Sequence, residues 1–246
     1  MKKSHALVFA LLITLLIATN FYLIKTQTTN EKEIVKISRV IDGDTLELED
    51  GRKIRLLNIN TPEKNNKGFK EATNFLKSYE NKSVEVEITE TDKYNRFLAR
   101  IYTPEYLNLE IMKQGLASKF LVEKSELKKF SDAEKYAIQS EKGIWKKSSY
   151  FNCFKSKIDR INEIIILTNN CNKVNIASWT LKDESRKQFV FKELEIGNIA
   201  IHSKEGKNNE TDLFWNSQTS IWNNDRDALY LFDKEGEIVH YNSYGY

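Results

Sequence analysis

Proline is almost missing from this chain: two in 246 residues, beside nine glycines. That scarcity excludes collagen-like and low-complexity architectures, which those residues dominate. Residues 31–150 contain no histidine and no cysteine, so the nitrogen and sulfur ligands of a zinc centre are absent from that stretch. A strong charge of one sign is also lacking. Residues 31–150 carry 23 basic and 21 acidic side chains, residues 151–246 carry 12 and 14, and the net charge is +3. This excludes attachment to nucleic acid by broad counterion release alone, so any such contact requires a local site. No internal repeat is present.

One long hydrophobic run does occur. Lys2 and Lys3 precede an uncharged stretch from Ala6 to Ile24. As a helix it would span about 28 Å, roughly one hydrocarbon core. Positive charge before the run favours an inside N-terminus and an exported remainder. Residues 1–30 therefore read as a signal peptide or a membrane anchor spanning 6–24. The poor cleavage sequence around Ala18 favours the anchor, and a cell-surface or extracellular location follows. The two cysteines, Cys153 and Cys171, would then meet an oxidising compartment, which favours a disulfide over two buried thiols. Closing a loop of that length is worth about 3 kcal/mol.

The chain is 40% apolar overall, enough for a core beyond this run. From Glu33 to Ile59 the apolar positions alternate, which is the period of a strand. Asp50-Gly51 marks a hairpin turn. Leu46, Leu48, Ile54 and Leu56 are all even-numbered, so they share one face only if the loop holds an odd number of residues. A three-residue loop with a left-handed glycine satisfies this. Arg55 then falls on the opposite face with Glu47, Glu49 and Lys53. Helical spacing recurs from Gly68 to Lys82 (Phe69, Ala72, Leu76, Tyr79) and over Leu127, Phe130, Ala133 and Ala137, a helix ending near Gly143. VEVEI and FLARIY read as strands, and Asn108 as the cap of a short helix stopped by Gly115. Residues 31–150 thus read as an α+β domain. After Tyr150 no helical stripe survives. Short apolar runs separated by turns (EIIIL, VNIASWTL, QFVF, IAIHS, DALYLFD, EIVHY) read as a β-sandwich or barrel over 151–246.

The polar residues at the ends of the first hairpin raise a question of chemistry. Asp44 follows Gly43; Asn60, Thr61 and Glu63 end the second arm; Arg96 follows the turn TDKYN. Carboxylate, amide and backbone oxygens are the ligand set of a hard cation such as Ca²⁺. Arg55 and Arg96 each offer paired donors suited to phosphate oxygens. Glu63 could take a proton from water. Together these are parts for hydrolysing a phosphodiester. Each also has a plain reading: Asp44 capping a turn, Arg55 pairing with Glu47, Glu63 starting a helix.

The pieces VIDGDTLEL, RLLNINTPE, FKEATNFL, TDKYNRFLARIY, MKQGLA and AEKYAIQSEKGIW, in this order from Val35 to Trp145, resemble the thermonuclease family, typified by staphylococcal nuclease. The resemblance implies a five-stranded OB-fold barrel with helices. It implies Ca²⁺-dependent endonuclease activity on DNA and RNA, leaving 3′-phosphates. Residue by residue it implies Asp44 as a metal ligand, Asn60 in place of a second metal aspartate, and Thr61 ligating through its carbonyl. Glu63 matches the general base, Arg55 and Arg96 the catalytic phosphate-binding arginines, and Lys93 and Tyr94 the contacts to the terminal phosphate. Asn60 departs from the pattern by removing a negative charge, which lowers calcium affinity. No residue matches the family's nucleotide-stacking tyrosine after QGLA; Phe120 is the substitute.

In the second half, NEIIILTNNCNKVNIASWTLKDES, FVFKELEIGNIAIHS and SIWNNDRDALYLFDKEGEIVHYNSY resemble the lamin-tail domain, which implies an immunoglobulin-like sandwich with no chemistry of its own and an unidentified ligand. Trp179, Trp215 and Trp222 read as core packing, and His202 and His240 as histidines without a metal. The rival to a nuclease is a nucleic-acid-binding or surface-adhesion module.

Overall fold

A computed structural model describes residues 12–14, 32–192 and 197–246. The expected anchor at 6–24 lies outside the described residues except for Leu12–Thr14, which are helical. Among the described residues no helix is long and apolar enough to cross a membrane.

Alternating apolar residues build strands β1 (Lys32–Val40), β2 (Thr45–Leu48) and β3 (Lys53–Leu56), then β5 (Ser83–Thr91) and β6 (Phe97–Tyr102). They close a barrel in the order β1-β2-β3-β6-β5, with β5 returning to β1. In the first hairpin Leu46 faces Ile54 and Thr45 faces Arg55, the pairing that the parity argument requires. Gly51 takes φ +87° in the three-residue loop, a conformation that costs glycine no Cβ clash. Leu46, Leu48, Ile54 and Leu56 fill the interior with Ile37, Val86 and Ile101.

Helix α1 (Phe69–Lys77) covers one end with Ala72 and Leu76; α2 (Leu107–Lys113) and α3 (Leu127–Gln139) pack together beside β6. Asn108 differs from its expected role. It lies inside α2, fully buried, not at its cap. Its amide donates to the carbonyls of Leu57 and Ala99, both at 3.0 Å, and its oxygen accepts the Ile101 amide at 3.1 Å. A buried amide with all these bonds made ties the helix to the barrel. A small ribbon of β4 (Ile59–Asn60) and β7 (Ser118–Lys119) extends the end where the barrel's polar residues collect.

The remaining strands form two four-stranded sheets. One has β13 (Asp212–Phe214), β12 (Asn198–His202), β9 (Ile164–Asn169) and β8 (Phe154–Asp159). The other has β11 (Gln188–Val190), β10 (Thr180–Lys182), β14 (Asp227–Phe232) and β15 (Ile238–Tyr244). Inward residues of both sheets, including Phe154, Leu167, Ile201, Leu181, Leu229 and Leu231, make one core with Trp179 and Trp222. Cys153 and Cys171 are joined by a disulfide. His202 contacts Asp212 at 2.8 Å and His240 contacts the Ser156 hydroxyl at 3.0 Å.

The two halves are joined by a third core. Ala137, Ile138 and Trp145 pack on Ala228, Tyr230 and Ile238, with the Trp145 and Tyr230 rings 5.4 Å apart. At its edge the buried Glu134 carboxylate accepts the Tyr230 hydroxyl at 2.7 Å and pairs with buried Lys119 at 2.9 Å. Apolar burial supplies the attraction, and these polar groups satisfy one another inside it.

Candidate active site at the barrel mouth

The turn from β1 to β2 carries Asp42-Gly43-Asp44. A Cβ on Gly43 would lie 2.6 Å from the Ala72 Cβ and 2.7 Å from the Thr61 hydroxyl. Only glycine lets this turn press against the end of the second arm. The approach allows Asp44 to accept the Thr61 amide at 2.8 Å and the Thr61 hydroxyl at 3.1 Å. Its other oxygen accepts the Thr45 hydroxyl at 3.1 Å and pairs with Arg55 Nε at 3.1 Å.

Arg55 is on the face away from the apolar interior yet only 5% exposed. The β3–β4 corner folds over it: Arg55 donates to the carbonyls of Leu56 and Ile59 and to the Asn60 side-chain oxygen. Burial pushes its guanidinium below the usual value, Asp44 opposes that shift, and the positive charges of Arg186 and Arg96 add to it. Arg96 is held by Asp92 at 2.8 Å and reaches the Thr45 hydroxyl at 3.5 Å. Lys93 and Tyr94 stand on the same β5–β6 turn; Tyr94 is exposed, with its ring 5.5 Å from the Arg96 guanidinium. Phe120 is half-buried, and its backbone amide donates to the Asn58 carbonyl at 3.0 Å. Thus Asp44, Asn60, Thr61, Arg55 and Arg96 are linked by hydrogen bonds or ion pairs at one end of the barrel, and Glu63 follows two residues beyond Thr61.

The oxygen donors suit a hard cation in kind: the Asp44 carboxylate, the Asn60 amide oxygen and the Thr61 carbonyl. Asp42 lies behind them, and its carboxyl is pushed up by burial and by the neighbouring Asp44 charge, repulsion that a cation would relieve. Among the described residues no cluster of three or more histidine, cysteine or carboxylate side chains is placed to hold a metal.

Three participants were missed in the sequence. Asp42 was legible in the D-G-D spacing. The other two come from the loop between β10 and β11. The Asn60 amide nitrogen donates to the Glu184 carbonyl at 3.2 Å. Arg186 donates to the Thr61 carbonyl at 3.3 Å and forms an ion pair with Glu63. These contacts join residues more than 120 positions apart, and no local pattern announces them.

The geometry defines a barrel with arginines and side-chain and backbone oxygens clustered at its mouth. Comparison with known proteins gives the same class. Residues 53–147 match the family model described as staphylococcal nuclease homologue. A thermonuclease of Staphylococcus intermedius is 33% identical over 138 residues, half of this chain and 82% of that protein. An uncharacterized endonuclease of Escherichia coli is 40% identical over 78 residues, 30% of this chain and 51% of that protein. An uncharacterized protein of Methanocaldococcus jannaschii is 31% identical over 153 residues, 48% of this chain and 73% of that protein. The chain belongs to the family of staphylococcal nuclease homologues. It spans about half the length of the Escherichia coli relatives that it matches.

Proposed function

We propose that this chain is a Ca²⁺-dependent nuclease that hydrolyses phosphodiesters of DNA and RNA and leaves 3′-phosphates. The observation that carries the reading is the convergence of Asp44, Thr61, Arg55 and Arg96 at the mouth of a family barrel, with Glu63 adjoining. Asp44, Asn60 and the Thr61 carbonyl would hold the cation, which when bound supplies Lewis-acid polarisation of a phosphate oxygen. Glu63 takes the proton of the attacking water. Arg55 and Arg96 donate to the phosphate oxygens as charge builds on them, and the burial of Arg55 strengthens that interaction. Lys93 and Tyr94 hold the terminal phosphate. Residues 31–150 form the catalytic unit, and residues 151–246 a lamin-tail-like, immunoglobulin-like accessory sandwich. The run at 6–24 anchors the chain to a membrane with both units outside.

The test is digestion of single-stranded DNA by the full chain, titrated with Ca²⁺ and chelator, beside a Glu63→Gln variant. Calcium-dependent cleavage lost in the variant supports the reading. Binding without cleavage at any calcium concentration replaces it with a nucleic-acid-binding module. One observation favours that rival: Asn60 spends both ends of its amide on protein partners, Arg55 and Glu184.

A further inference from the structure

Between the two halves lies a cavity of about 380 Å³, within the rough 300–1,000 Å³ range of sites that take small ligands. Thr61, Glu63 and Lys67 line one wall; Lys182, Arg186 and Phe232 line the other. The cavity therefore adjoins Asn60, Thr61 and Glu63 of the proposed site and is completed by the second half of the chain.

The second wall is a built element. Lys182 ends β10, and Arg186 stands at φ +74° in the loop to β11. Asp183 fastens that loop, accepting the Lys187 amide at 2.7 Å and the Ser185 hydroxyl at 2.6 Å. Glu184, 1% exposed, pins it to the barrel half by accepting the Leu121 amide at 3.4 Å, while its own carbonyl accepts Asn60. The hairpin thus holds two cations in fixed places.

Those cations differ in their partners. Arg186 is held by Glu63 and the Thr61 carbonyl. Lys182 has no carboxylate within ion-pair distance among the described residues; its ammonium lies 5.4 Å from the Phe232 ring. Burial lowers its pKa with nothing to oppose the shift. A partly dehydrated cation without a counter-charge is costly, and an anion entering the cavity would remove that cost. The anion that reaches this place beside a phosphodiester site is the next phosphate of the same strand.

Resting on the nuclease reading, we propose that this cavity is a subsite for the substrate strand beyond the bond cut, where Lys182 and Arg186 hold a phosphate. Arg186 exchanges Glu63 for that phosphate as the strand enters, which frees the carboxylate. The accessory half is then part of the substrate groove.

The experiment is equilibrium binding of fluorescein-labelled single-stranded DNA to the full chain in chelator, across a salt series. A dinucleotide, which reaches only the phosphate to be cut, is compared with an octanucleotide. Lys182→Gln should weaken the octanucleotide about fivefold and reduce its salt slope by about 0.7, the share of one single-strand phosphate contact. Dinucleotide binding should stay unchanged, and Lys182→Arg should restore the octanucleotide. Thermal melts of each variant establish that it folds. An unchanged salt slope in folded Lys182→Gln overturns the subsite and leaves the nuclease reading intact. With Ca²⁺ added, faster octanucleotide cleavage by Arg186→Gln overturns it too, since the hairpin would then be a plug. If the wild-type chain neither binds the octanucleotide in chelator nor cleaves it once Ca²⁺ is added, both readings fall.

Discussion

Asp44 is the residue on which the barrel mouth turns. It accepts from Thr61 and Thr45 and pairs with Arg55, and both members of that pair are buried. Asp44→Asn leaves the guanidinium without its counter-charge, so stability should fall by about 3–5 kcal/mol, read by urea unfolding. Arg55→Lys should keep the charge and lose the forked contacts to Ile59 and Asn60, with a large loss of cleavage and a smaller loss of stability. Asn60 carries a third prediction. Asn60→Asp restores a carboxylate, so calcium affinity measured by calorimetry should rise. The same change places an oxygen against the Glu184 carbonyl, where the amide nitrogen now donates, so the melting temperature should fall. What was legible here was local. The D-G-D turn, the parity that put Arg55 opposite the leucines, and the oxygen-rich end of the second arm are all short-range patterns. What was not legible was how deeply Arg55 is buried, because the corner that covers it is built from backbone carbonyls with no side-chain signature.

Among the elements, the β10–β11 hairpin has the largest consequence. The runs VNIASWTL and QFVF that hold its three-residue strands read as strands, but nothing in them shows that the loop between them reaches the barrel mouth. Strands β8 and β13 are the ones the sequence reading lacks: β8 alternates only weakly and β13 has three residues. By contrast α1 and α3 carry long stripes and were readable. The short α2 misled, since an asparagine just before apolar residues reads as a cap whereas Asn108 brackets the barrel. Gly143 marks another element-scale constraint. It takes φ +54°, and a Cβ there would lie 2.2 Å from the Gly115 carbonyl oxygen. Gly143→Ala should therefore separate the α2 end from the turn after α3 and lower the melting temperature by several degrees.

For the whole molecule, the interface between the halves ties stability to pH. Burial raises the Glu184 carboxyl from 4.5 to about 7. The folded state then keeps a proton that the unfolded chain releases. Below about pH 4.5 Glu184 contributes no penalty; stability falls as pH rises from there through about 7. Burial lowers His240 to about 4, an effect of opposite sign that is shared by any variant at position 184. The melting temperature of Glu184→Gln minus that of the wild type should thus grow between pH 4.5 and 7 and level off above. A wild-type advantage above pH 7 would refute the buried, proton-holding carboxylate.

Tyr230, Glu134 and Lys119 fasten the halves at one side of Trp145, and Glu184 and Arg186 clasp Asn60, Thr61 and Glu63 at the other. In terms of inheritance, the halves are encoded one after the other like interchangeable modules, yet they are not free to be shuffled. A recombination that swapped either half for a foreign one would strand a buried carboxylate and strip the barrel mouth of its borrowed arginine. The pair has to travel, and diverge, as one unit.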